Sequence, residues 1–149
     1  MDATIRPPTA ARTGVVPAAG AAPSAEEFLV KCERDFTIVR RLGTDILVAQ
    51  HADFRRETLE RVLHVVTMFF KFDFGYQEQF MFTNRYPGCD AHARQHQRYV
   101  HELDKIKRAF DWRADVYDDV RRFYSDLVGN HIAVSDAGLV DYTRRELVS

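Results

Sequence analysis

The sequence predicts an all-α fold, an antiparallel up-down four-helix bundle preceded by a disordered N-terminal tail. Three observations predict it. From Glu26 onward Pro87 is the only proline, apolar residues recur three and four apart, and strand-type alternation is scarce. The apolar fraction of 46% in 149 residues, with 12% aromatic, is enough for one well-buried core.

The tail is residues 1–24, MDATIRPPTAARTGVVPAAGAAPS, and holds Pro7, Pro8, Pro17 and Pro23 among small side chains. Such a segment buries too little to offset its chain entropy. Prolines and Arg12 interrupt every candidate signal-peptide core, and no run approaches the ~20 apolar residues of a membrane span. A cytoplasmic location is therefore the default expectation, and the tail is a candidate tether for a protein partner. Acidic and basic residues are interspersed at a net charge of −1, so no basic stripe points to nucleic acid. Cys32 and Cys89 form no CxxC pair, consistent with a reducing compartment.

The bundle domain is residues 25–149. Its first helix carries Leu29, Cys32, Phe36 and Val39, with a stripe extending past Gly43 through Leu47 to Phe54. The second carries Val62, Val66, Phe69, Asp73, Gln77 and Phe80. The run NRYPGCD, Asn84 to Asp90, breaks the pattern: Pro-Gly makes the turn and Asp90 is placed to cap the next helix. The third helix shows Cys89, His92, His96, Tyr99, Leu103, Ile106 and Phe110 at unbroken 3-4 spacing. After a fainter turn around Asp111 to Asp115, the fourth carries Val116, Val120, Phe123, Leu127, His131 and Val134.

These stripes are interrupted by polar groups. Asp73 and Gln77 lie on the inward line of the second helix, His92 and His96 on the third, and His131 on the fourth. Burying an unpaired carboxylate or imidazole costs several kcal/mol, on the scale of a domain's whole stability. A bound cation compensates all of them at once. His92 and His96, at i and i+4, project from one helical face. His131 and Asp136 are five apart, which on an α-helix separates them by about 140°. The alternative is a polar core network in which each histidine is satisfied by Asp73, Gln77 or water. His64 and His101 have no such companions and are expected at the surface.

The run FDFGYQEQFMFTNRYPGCDAHARQHQRY resembles the HFxxEExxM…YPxxxxHxxxH segment of the hemerythrin family, and NHIAVSDAGLVDY resembles its HIxxxDxxY segment. The run LGTDILVAQH is similar to a first-helix segment of that family ending in a ligand histidine, here His51. The resemblance implies a non-haem iron centre, one or two ions, in the bundle core. It also implies binding of dioxygen, another small diatomic or peroxide. It carries over His92, His96 and His131 as ligands of one metal, with Asp136 as bridging or terminal carboxylate. At the family's other histidine and its bridging glutamate this chain has Asp73 and Gln77. Asp73 is then expected as an oxygen ligand, and Glu78, about 100° away, does not substitute. The expected pocket walls are Phe69, Tyr76, Phe80 and Tyr99. Two other readings stand beside it: a metal-free or structural-metal helical sensing or interaction module, and a diiron oxidative, peroxidase-like enzyme. Against the enzyme, no ExxH pair occurs on any helix.

Overall fold

The computed structural model describes residues 22–149. Most of the expected tail, and with it the tether, lies outside the described residues. Ser24 ends that tail as the cap of the first helix, α1 (Ala25–Val48): its Oγ accepts the Glu27 N–H, and the Glu27 carboxylate accepts the Ser24 N–H. This reciprocal arrangement satisfies two backbone donors that a helix start leaves free. A short 3₁₀ turn, Ala52–Phe54, leads into α2 (Arg55–Thr83). Then come α3 (Cys89–Asp111), α4 (Tyr117–Asp126), a π-helical stretch Leu127–Asp136, and α5 (Ala137–Leu147).

The last three run end to end as one rod, so the described residues form a four-helix bundle with no strand. Neighbours in sequence pack side by side, and the fourth rod closes back on α1, as short connections require. No described helix is long and apolar enough to cross a membrane.

The α1–α2 turn is held by a side chain of the next helix. The Arg55 guanidinium donates to the Ala49 and Gln50 carbonyls and to Asp115, which covers the free carbonyls at the end of α1. The α2–α3 turn falls at Pro-Gly, with Arg85 in the left-handed region at φ 54°. Gly88, not Asp90, precedes the first turn of α3. Asp90 lies inside that turn, where its charge faces the positive end of the helix dipole.

Two inward stripes differ from expectation. On α1 the buried line is Phe28, Val39, Leu42 and Ile46; Val39 lies inward as expected, but on either side of it the line is rotated, which leaves Phe36 and Leu47 exposed. In the fourth rod Val134 is 65% exposed, and the stripe resumes at Leu139 and Thr143. The π-helical stretch explains this shift. Its bonds span five residues, as in Ala137 N–H to Ile132 C=O, so one extra residue is accommodated and the downstream face is rephased.

Core packing falls into two clusters. The larger joins Leu59, Val62, Leu63, Val66, Phe70, Leu103, Val120, Phe123 and Leu127 with α1 residues Leu42 and Ile46. The smaller joins Phe28, Phe80, Met81 and Leu139, with Phe28 stacked on Phe80 at 3.9 Å between centroids. The inward polar residues occupy the level between them.

Candidate metal centre

His92 and His96 project from α3 one turn apart and are 3% and 1% exposed. His131, equally buried, comes from the π-helical stretch, and Asp136 ends that stretch. The five-residue offset that would splay these two on an α-helix stacks them under i→i+5 bonding, one above the other. One ligand atom from each of His92, His96, His131 and Asp136 lies within 4.8 Å of every other. Asp136 Oδ1 is 3.0 Å from His92 Nε2 and 3.3 Å from His131 Nε2. Neither contact is aligned as a hydrogen bond, so these three buried atoms have no partner. Buried polar atoms of that kind are rare in a folded protein and need a compensating group.

The outer edges of two rings are tied down. His96 Nδ1 is 2.9 Å from a Glu78 carboxylate oxygen, and His131 Nδ1 is 2.9 Å from Gln95 Oε1, which also accepts from Ser135. Carboxylate and amide oxygens only accept, so we assign the proton of each ring to Nδ1. The Nε2 lone pairs then point inward. His96 Nε2 lies 3.1 Å from Gln77 Oε1, so two acceptors face one another. Burial, reinforced by nearby His92, lowers His96 to about 2. Burial outweighs the pull of Asp136 and lowers His131 to about 4. Both rings are therefore neutral at pH 7, the form that binds a metal. Phe74 stacks on His96 at 3.8 Å, and Tyr99 meets His131 edge-on at 5.2 Å. Three imidazoles, one aspartate side chain and three partnerless inward atoms are a donor set that fits a transition-metal ion.

Other expected site residues lie elsewhere. Asp73 is buried but turned from this group: one oxygen accepts from Lys31 of α1 and the other from Gln77 Nε2 at 3.1 Å. Burial and the adjacent Asp35 push Asp73 up to about 8 against the pull of Lys31. In this structure Asp73 therefore faces Lys31 and Gln77 rather than the four converging groups. His51 is exposed in the turn after α1. Twenty residues of chain separate it from Lys31, about 30 Å of helix rise, so the two stand at opposite ends of the bundle.

A cavity of about 510 Å³ opens beside Asp136, Asp73 and Gln77, with Leu29, Phe36, Phe69 and Ile132 among its walls. Of the four expected wall residues only Phe69 lines it; Phe80 belongs to the smaller core cluster, Tyr76 packs against that cluster, and Tyr99 lies under His131. Glu78, Gln95 and Lys31 were not expected at the site. The Lys31–Asp35 pair, four apart on α1, was the available signal for Lys31. His64 and His101 are exposed, and Cys32 and Cys89 are not joined in a disulfide.

No family model matches the chain, and no solved structure matches it significantly. Among curated proteins it is similar to a bacteriohemerythrin of Stenotrophomonas maltophilia (strain R551-3). The identity is 23% over 120 residues, covering 71% of this chain and 78% of the relative. The chain is thus a helical bundle similar to a bacteriohemerythrin, with a histidine–aspartate group in its core that could hold a metal ion.

Proposed function

We propose that the chain is a non-haem iron protein that offers a small ligand, dioxygen or another diatomic or peroxide, an open position on its metal. The observation that carries this is the trio of partnerless buried atoms, His92 Nε2, His131 Nε2 and Asp136 Oδ1, converging with His96 Nε2. His92, His96, His131 and Asp136 would hold the ion. Glu78 and Gln95 fix the tautomers of His96 and His131, which keeps the lone pairs inward without rearrangement on binding. Bound iron supplies a Lewis-acidic, redox-active centre. The cavity beside Asp136 gives a small neutral molecule an apolar approach and disfavours bulk water. Iron, rather than zinc on the same donor set, is supported by the likeness to a bacteriohemerythrin.

The test is elemental analysis of the purified protein, with absorption spectra in air and after reduction. Iron retained by the chain, with charge-transfer bands that bleach on reduction, is the expected result. Colourless, fully folded, metal-free protein that takes up no added Fe²⁺ would reject the proposal and favour the interaction-module reading.

A further inference from the structure

The polar layer of the bundle has a second half, which the four converging ligands leave untouched. Lys31 reaches into it from α1 and donates to both Asp35 and Asp73. Asp73 is 3% exposed, and both of its oxygens are occupied, one by Lys31 and one by the Gln77 amide. Gln77 in turn sets its own oxygen against His96 Nε2. The Lys31 ammonium therefore stands three contacts from the nearest candidate ligand, His96, through Asp73 and Gln77. A buried carboxylate needs a cation or a proton. Asp73 and Asp35 have found their cation in the chain itself. An ion placed among these oxygens would have to displace the ammonium or sit against it, and like charges in a partly buried site repel strongly.

From this arrangement we infer that Lys31 is a built-in cation that keeps the centre mononuclear: its ammonium fills the place a second metal ion would take between Asp35 and Asp73. The inference rests on the metal reading above and adds the number of ions and the residue that sets it. Lys31 is a positioning residue, because it touches none of the four ligands. Its two carboxylate partners are hard oxygen donors, suited to a divalent cation once the ammonium is gone.

The experiment counts ions per chain. Metal-free full-length protein is loaded with Mn²⁺ under anaerobic conditions and desalted. Bound manganese is then measured by elemental analysis and by electron paramagnetic resonance, which separates an isolated ion from a magnetically coupled pair. Wild type is expected to hold one isolated ion. Lys31→Ala is expected to hold two, with a coupled spectrum, and Lys31→Arg, which keeps the charge, to hold one. Lys31→His supplies a ligand in place of the ammonium and serves if the alanine variant folds poorly; it too is expected to hold two. A double substitution, Lys31→Met with Asp73→Asn, removes the vacated carboxylate and returns the count to one. Two ions in wild type, or one in both Lys31→Ala and Lys31→His, would overturn the inference while leaving the metal reading intact. No ion in folded wild type would instead overturn the metal reading, and this inference with it.

Discussion

Two histidines of the central group, His96 and His131, have an outer neighbour as well as an inner task. The Glu78 carboxylate at 2.9 Å from His96 Nδ1 makes Nε2 a better donor and holds the ring in place. Removing such a partner from a metal-bound histidine costs about 10–100-fold in metal affinity. Glu78→Ala is therefore expected to weaken the site by about that factor while the fold persists, since Glu78 is part-exposed; chelator competition measures it. Unchanged affinity would show that Glu78 does not orient the ring. The same burial makes the metal-free protein sensitive to acid. In the unfolded chain these histidines titrate near 6.5, and in the folded one His96 lies at about 2 and His131 at about 4. Below pH ~6.5 the unfolded chain gains protons that the folded one refuses, so stability falls with pH. Each ring contributes about 1.4 kcal/mol per pH unit. Both act between pH ~6.5 and about 4, and His96 alone acts below. Asp73, pushed up to about 8, gains a proton on folding and offsets one ring over this window. The slope is therefore read by urea denaturation of metal-free Asp73→Asn protein at several pH values, where adding His131→Gln should roughly halve it above pH 4. A slope that His131→Gln leaves unchanged would contradict the assignment.

Among the elements, the π-helical stretch decides whether Asp136 belongs to the site. Its extra residue can be removed. Deleting exposed Ala133 leaves His131 and the aspartate four apart, which an ordinary α-helix keeps on one face. That variant is expected to fold and retain its metal. Deleting exposed Arg121 from α4 instead turns Phe123, Leu127 and His131 by about 100° against the upstream turns. Metal binding should then be lost, and circular dichroism with metal analysis on the two variants compares them directly. This element also marks where sequence reading ends. The 3-4 spacing of His92, His96, Tyr99 and Leu103 gave α3 its correct buried face, because nothing interrupts that helix. The His131–Asp136 offset looked divergent because an α-helical period was applied through LVGNHIAVSD, where i→i+5 bonding holds. The end of α1 was invisible for another reason. Arg55 secures it from the following helix, and no local turn former signals a contact made in three dimensions. The rotated stripe of α1 has a similar origin: Phe36 looks like core but faces the cavity. Lys31 and Asp35, an ordinary surface pair by spacing, turn inward to serve Asp73.

Across the whole molecule, the polar layer separates two apolar clusters of unequal size. The larger one, around Val62, Phe70, Leu103 and Val120, gathers most of the buried apolar side chains. The smaller, Phe28, Phe80, Met81 and Leu139, depends more on what joins it to the rest. Through His92, His96, His131 and Asp136 a bound ion would tie α3 to the fourth rod at that junction. A ligand that binds only the folded state stabilises it by about 2.7 kcal/mol at a hundredfold excess over Kd. In a domain of this size that raises Tm by roughly 5–11 °C. The protection should also be uneven, because local opening is controlled by local contacts. Amide hydrogen exchange with and without chelator should therefore show the largest loss around Phe28, Phe80 and Leu139. Amides around Val62 and Leu103 should change little until global unfolding. If chelation loosened both clusters equally, the layer would be a passive part of one core rather than the joint between two. If it loosened neither and left Tm unmoved, the converging imidazoles would be holding no ion at all.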